Sequence, residues 1–227
     1  MKKKDRNGIR KKRNSKVATR TPDLGYYLIV TDTEATERCY FQGMYHSLPK
    51  DLQDRLVIRT YETKTQSMTE ECKNELAYSP QYRIPWIIFD RDQVVDFDKK
   101  ISNAEKESIN VGWSNPCFEI WLYAYFGSMP TMQTSQECCR RFGDEYEKKT
   151  GVKYDKADGQ LYSRLCQYGN EKNACKLAEQ KMDQCKSEDK STPSSMCPAT
   201  TIYHLVREIQ GKIGQVQKDE LHNNKGA

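Results

Sequence analysis

Acidic residues in this chain collect where apolar runs end. The clearest case is Ile84-Pro85-Trp86-Ile87-Ile88-Phe89-Asp90-Arg91-Asp92. Two acids one residue apart on an extended chain point the same way. Held together they repel, and a divalent cation or a proton relieves the repulsion. The same residues also fit a purely structural use, with Asp90 capping the following helix and Asp92 in its acid-favouring first turn. A second acid-tipped run is Tyr26-Tyr27-Leu28-Ile29-Val30, followed by Thr31-Asp32-Thr33-Glu34-Ala35-Thr36-Glu37. A further acid, Glu119, lies within Ser114-Asn115-Pro116-Cys117-Phe118-Glu119-Ile120-Trp121-Leu122-Tyr123-Ala124-Tyr125-Phe126, a segment apolar nearly all round. A buried carboxylate needs a partner, so Glu119 either satisfies local donors or faces the other acids.

The elements that must position these groups follow from periodicity. The run from Ile84 to Phe89 has no polar residue alternating with its apolar ones, as expected of a strand covered on both faces, and Pro85 fits only at its start. Ligands of open α/β sheets gather at the carboxyl ends of strands, where Asp90 and Asp92 emerge. Tyr26–Val30 is the first strand, and Tyr40, Phe41, Met44, Tyr45 and Leu48 recur at helical spacing after it. Leu56–Tyr61 is a second strand, and Ser67-x-x-Glu70 opens a helix that ends before Pro80. A charged helix over residues 94–107 follows the third strand, then a fourth strand over Ile109–Trp113. Asn115 reads as an N-cap with Pro116 at the first helical position. The β-α-β-α-β-α-β order predicts a mostly parallel sheet with helices on both faces. Beyond Gly127 only helices are expected, over residues 134–149, 158–186 and 200–217, divided by Gly151 and by a polar, mobile loop over residues 187–198. The tail from Lys218 should fray.

Composition sets outer limits. With 36% hydrophobic and 30% charged residues in 227, the chain is a globular protein, polar for its size. No apolar run approaches the ~20 residues of a membrane span, and no signal-peptide core is present, so a cytoplasmic protein without membrane contact is expected. Residues 1–20 hold ten Lys or Arg against one acid, a net +9 that leaves −4 on the rest of a chain whose total is +5. Such a block stays solvated as an arm and can also track nucleic-acid phosphates. The nine cysteines are odd in number and contain no Cys-x-x-Cys pair, which argues against a disulfide framework or zinc ribbon and for small buried hydrophobes. The loosely spaced set from Cys166 to Cys197 is the alternative metal or redox candidate. His46, His204 and His222 are not spaced as a ligand cluster.

Several separated segments together resemble one family. Leu28-Ile29-Val30 with Asp32-x-Glu34-x-x-Glu37 and Tyr40-Phe41, then Phe89-Asp90-x-Asp92, then Ser114-Asn115-Pro116-x-Phe118-Glu119-Ile120-Trp121-Leu122, then Thr200-Thr201 and His204-Leu205-Val206 look like the RloB-like abortive-infection family. That family is similar to Toprim-domain proteins. The resemblance implies a Toprim-like, four-stranded, mostly parallel sheet flanked by helices. The organisation expected is a basic arm (1–22), an α/β core (23–127) and a C-terminal helical part (128–227). It also implies bacterial anti-phage defence, phosphodiester cleavage of nucleic acid, Mg²⁺ (or Mn²⁺) as cofactor and, in some cases, an ATPase partner protein. The first-strand motif of the family usually reads Glu-Gly-Glu, whereas this chain has Asp32-Thr33-Glu34, one methylene shorter at the first acid.

The resulting assignment has Asp90 and Asp92 anchoring the metal and Asp32 completing its shell. Glu34 or Glu37 holds a second ion or takes a proton from water. Asn115 and Glu119 stand behind the site, and Arg91, Lys153 and Lys156 grip flanking phosphates. RNA such as tRNA is favoured over DNA. Two other classes fit part of the pattern. Asp90-x-Asp92-x-Val94 matches the signature of haloacid-dehalogenase-type phosphatases, with Asp90 as nucleophile. A non-catalytic subunit binding nucleic acid or an ATPase would use the arm and the helical half.

Overall fold

The computed structural model describes residues 22–32, 35–78, 83–92, 94–132 and 134–223, with side chains to residue 218. The basic arm, apart from Pro22, and Glu34 therefore lie outside the described residues.

The chain opens with β1 (Gly25–Thr31), α1 (Ala35–His46), the single turn α2 (Lys50–Gln53), β2 (Leu56–Glu62), α3 (Met68–Tyr78) and β3 (Arg83–Asp90). It continues with α4 (Phe97–Lys106), β4 (Asn110–Asn115) and α5 (Glu119–Tyr125). The C-terminal part is α6 (Ser135–Thr150), α7 (Leu161–Tyr168), α8 (Glu171–Ser187), the short β5 (Ala199–Thr200) and α9 (Ile202–Asn223). The five strands form one sheet in the order β2-β1-β3-β4-β5, parallel except for β5, which runs antiparallel to β4. The expected α/β class, with a mostly parallel sheet flanked by helices and a helical C-terminal part, is what the chain adopts.

The order of strands matters more than their number. The path from β1 to β2 steps one way along the sheet, and the path from β2 to β3 to β4 steps the other. With right-handed crossovers this reversal sends α1 to one face and α3 and α4 to the other. A crevice opens between the carboxyl ends of β1 and β3, the switch point at which sheets of this kind bind ligands.

Side-chain alternation assigns each strand residue a face. Register pairs Tyr27 with Ile84, Ile29 with Trp86 and Thr31 with Ile88. These residues share one face with Asp90, because a strand repeats every two residues. On that face the β4 residue Gly112, opposite Ile88, lies so close to α9 that an added Cβ would come within 2.9 Å of Ile202 Cδ1. The other face of β3 carries Ile87 and Phe89, and Phe89 packs edge-on against Phe97 of α4, with ring centroids 5.4 Å apart. Trp86, Ile87, Ile88 and Phe89 are all buried, as a strand covered on both sides requires.

Several boundaries differ from the periodicity reading for local reasons. Asn115 is not an N-cap: it is the last residue of β4, paired with Ala199, and α5 starts only at Glu119. The Asn115–Pro116 bond is cis, as is Cys197–Pro198. The helix over residues 94–107 starts later, with Asp96 as its N-cap, because Arg91 and Val94 close a turn through Val94 N–H to Arg91 O, 2.9 Å. The helix over residues 158–186 is broken in two at Gly169, where an added Cβ would lie 2.7 Å from the Tyr125 carbonyl. Asn170 then caps α8 by accepting from Asn173 N–H. Residues 200–217 are helical only from Ile202, since Ala199 and Thr200 join the sheet. Gly151 ends α6 in the left-handed region, φ 72°, where glycine carries no Cβ penalty. The 187–198 loop is tied down by Ser194 N–H to Asp98 Oδ1 at 2.8 Å and by the Asn115 amide, which donates to the Pro193 and Ser194 carbonyls.

Candidate functional site

A cavity of about 410 Å³ lies at the switch point, lined by Asp32, Glu37, Asp90 and Asp92 together with Thr65, Gln66, Lys100, Cys117, Cys139 and Lys156. The elements deliver these groups for simple reasons. Asp32 is the first residue past β1 and Asp90 the last of β3, and the two strands are hydrogen-bonded neighbours ~4.8 Å apart. Glu37, in the first turn of α1, is carried in from the face that Asp90 shares. The β3 strand ends at Asp90, and Asp92 sits in a turn, its N–H bonded to the Pro116 carbonyl at 3.1 Å. The premise that Asp90 and Asp92 extend side by side from one strand therefore fails. They reach one cavity from different surroundings, Asp92 exposed and Asp90 largely enclosed.

Asp90 is the centre of the electrostatics. Its Oδ2 accepts the Phe118 N–H at 2.9 Å, so it serves the start of α5 rather than the helix that follows it in sequence. Its Oδ1 is buried with no hydrogen-bond partner among the described residues. Burial pushes the Asp90 carboxyl well above the usual carboxylate range, and the neighbouring Glu37 and Glu119 push it further. Glu37 and Glu119 are themselves buried, at 3% and 2% exposure, so Asp90 has two enclosed carboxyl groups as neighbours. Glu119 both satisfies donors and faces the other acids. It accepts from Tyr154 OH at 3.0 Å and lies 3.7 Å from Lys156 Nζ. Asp32 accepts a short hydrogen bond from Thr65 Oγ1.

Such a cluster is expensive for a protein to build. Enclosed carboxylates repel, and a buried oxygen without a donor forfeits the hydrogen bonds it had in water. A divalent cation would remove both penalties, and the oxygen-rich donor set is what Mg²⁺ or Mn²⁺ prefers. The donor types therefore suit such an ion, with Asp32, Asp90 and Asp92, which line the same cavity, as its candidate ligands.

Of the other residues singled out from sequence, Lys156 lines the cavity as well as pairing with Glu119. Arg91 points away: it donates to the Val94 carbonyl at 2.9 Å and lies over the Phe97 ring. Arg91 and Asn115 line an adjacent groove that meets the acid site through Asp92 and Ser135. Lys153 lies in a shallow groove with Arg140 and Lys156. Glu34 lies outside the described residues. The Cys166–Cys197 set does not converge. Instead Cys117, Glu119 and Cys139 present ligand atoms within 4.8 Å of one another. Neither thiol could be singled out from sequence, because Cys139 reaches the site from α6 and no spacing rule links it to Cys117.

Among the described residues no helix is long and apolar enough to cross a membrane. No curated protein and no solved structure matches the chain. A family model described as RloB-like protein matches residues 27–209, which takes in both acid-tipped strands, α5 and the end of the sheet. By that match over most of its length, the chain belongs to the RloB-like family.

Proposed function

We propose that the protein is a metal-dependent phosphodiesterase that cuts nucleic acid, RNA such as tRNA in preference to DNA, as part of a bacterial anti-phage response. The observation that carries this reading is the meeting of Asp32, Glu37, Asp90 and Asp92 around one cavity at the switch point, with Asp90 Oδ1 buried and unpartnered. Membership of the RloB-like family fits a defence-related role.

Asp32, Asp90 and Asp92 would hold Mg²⁺ or Mn²⁺. The chemistry such an ion supplies is charge neutralisation on the phosphoryl oxygens and a more acidic water. Positive charge beside Asp90 would offset the burial and the neighbouring acids that raise its pKa. Glu37 stands next to Asp90 to take a proton from the attacking water, and Glu34 is the alternative base. Glu119, held by Tyr154 and Lys156, stands beside Asp90. Lys100 and Lys156 line the cavity itself. A second groove shares Thr65, Gln66 and Lys100 with the cavity and continues to Lys106, while the groove holding Arg140 and Lys153 leaves from the Lys156 side. A strand with phosphates on both sides of the cut would find cations along both exits. The basic arm of residues 1–20 would add sequence-independent affinity. An ATPase partner is a further proposal from family membership.

The test is incubation of the whole protein with total tRNA and with plasmid DNA, in Mg²⁺, Mn²⁺ or EDTA. RNA fragments that appear with either cation and vanish with EDTA or in Asp92→Ala are the expected result. Binding without cutting in every condition, with an ATPase partner also present, would replace this reading with that of a binding subunit.

A further inference from the structure

One wall of the acid cavity is made of sulfur. Cys117 Sγ and Cys139 Sγ are 3.9 Å apart, both thiols line the cavity, and Glu119 places a carboxylate oxygen within 4.8 Å of each. Two thiolates on a tetrahedral Zn²⁺, each at ~2.3 Å, stand ~3.8 Å apart. The observed spacing already matches that edge. It is also too long for a disulfide, whose sulfurs sit at ~2.05 Å. Cys117 is buried just before α5, Glu119 is the first residue of α5, and Cys139 lies one turn into α6. The ligands therefore sit on or beside packed helices, and closing them on an ion needs little backbone movement.

We infer that Cys117, Cys139 and Glu119 form a binding site for one soft divalent cation of the Zn²⁺ type. This site shares no ligand with the hard-oxygen set of Asp32, Asp90 and Asp92 in the same cavity. Hard Mg²⁺ avoids thiolate, whereas Zn²⁺ and Co²⁺ accept two sulfurs and a carboxylate. Three protein ligands leave one position of the tetrahedron open, as in sites where a water or substrate completes the shell. Because both sulfurs line the cavity, the open position faces it. The cation would take over from Lys156 as the counter-charge to Glu119, leaving that lysine to an incoming phosphate. Binding displaces the two thiol protons to solvent and involves no redox change.

The experiment is titration of Co²⁺ into the reduced, full-length protein in excess Mg²⁺, read by absorption. One equivalent should produce the thiolate-to-cobalt charge-transfer band and the visible bands of a tetrahedral ion, and Zn²⁺ should abolish both. Cys139→Ser, the milder change because Cys139 is only partly buried, and Cys117→Ser should each remove the charge-transfer intensity with circular dichroism unchanged. Cys166→Ser, at an exposed thiol elsewhere, should leave it intact. Glu119→Gln should weaken cobalt affinity at least about tenfold, the scale set by losing a ligand's own hydrogen-bond partner. Asp92→Asn should keep the cobalt spectrum while losing cleavage, so failure of this site and failure of the nuclease reading are told apart. No band in the parent with its thiols free by titration, or a band that survives Cys139→Ser, overturns the inference.

Discussion

Two carboxyl groups, Asp90 and Glu171, are partly enclosed and have their pKa raised first of all by burial. They differ in what surrounds them. Glu171 Oε2 accepts from Tyr125 OH at 2.8 Å and Tyr162 OH at 2.9 Å, and these bonds pull its pKa back down. Asp90 receives one backbone N–H, has an orphaned second oxygen, and faces Glu37 and Glu119, which raise it further. Glu171 sits in a finished polar network that ties α8 to α5 and α7. Asp90 sits among other acids with one of its own oxygens left without a donor. A buried acid thus marks a site through the deficit around it, and burial alone is a poor guide.

The largest effects should come from deleting each acid. Asp90→Ala should reduce cleavage at least ~100-fold, since an ion-holding carboxylate supplies several kcal/mol to the transition state. Its Tm should stay close to the parent's, because a repelling carboxyl is removed. Glu171→Ala should do the reverse. Removing the shared acceptor of Tyr125 and Tyr162 costs about 1–3 kcal/mol, a fall of roughly 2–12 °C in Tm, with cleavage at permissive temperature retained. If Asp90→Ala lowers Tm as much as Glu171→Ala, or leaves cleavage unchanged, the contrast is wrong.

A second comparison adds Mg²⁺ or Mn²⁺ and records thermal melts. An ion at 100 times its dissociation constant adds ~2.7 kcal/mol, about 5–10 °C for a chain of this size. Parent and Glu171→Gln should show the rise. Asp90→Asn should show little of it, and an undiminished rise there would place the ion elsewhere.

The smallest effect is on the pH dependence of stability in EDTA. Asp90 has a folded pKa above its unfolded value, so the folded state binds the extra proton. Its contribution is complete below the unfolded pKa, near 4, and is lost as pH rises toward the raised folded value. Parent stability should therefore fall over that window, and Asp90→Asn should flatten the fall more than Glu171→Gln, whose smaller upward shift has the same sign. Saturating Mg²⁺ should cancel the Asp90 part and leave the Glu171 part. Denaturant melts from pH 4 to 8 would show whether the two separate.

Much of this was legible in the sequence, for definable reasons. Runs such as Trp86–Phe89 and Leu28–Val30 can only be doubly covered strands, and strands alternating with helices leave few topologies open. Asp32, Glu37, Asp90 and Asp92 stood out because they follow those runs directly, and all four line the cavity. What was not legible depends on contacts between distant segments. Gly169 breaks a periodic helix because the Tyr125 carbonyl presses on it, and Thr200 enters the sheet because β4 offers an open edge. Asn115 had the local signature of a helix cap, but pairing with Ala199 outweighed it. Cys139 carries no pattern of its own and gains meaning only from Cys117, on another element.

The two-residue strand β5 has a consequence for synthesis. Thr200 Oγ1 bonds the Trp113 carbonyl at 3.0 Å, and Thr201 adds its N–H to that carbonyl at 2.9 Å while its Oγ1 accepts from Trp113 N–H. Residues far along the chain thus seal the margin of β4 that leads into Pro116, whose carbonyl accepts from Asp92 N–H. Until synthesis has passed Thr201, that margin stays open to other strands and the pocket lacks its final brace. The sheet edge beside the acid cavity is therefore completed only after the strands that carry the acids.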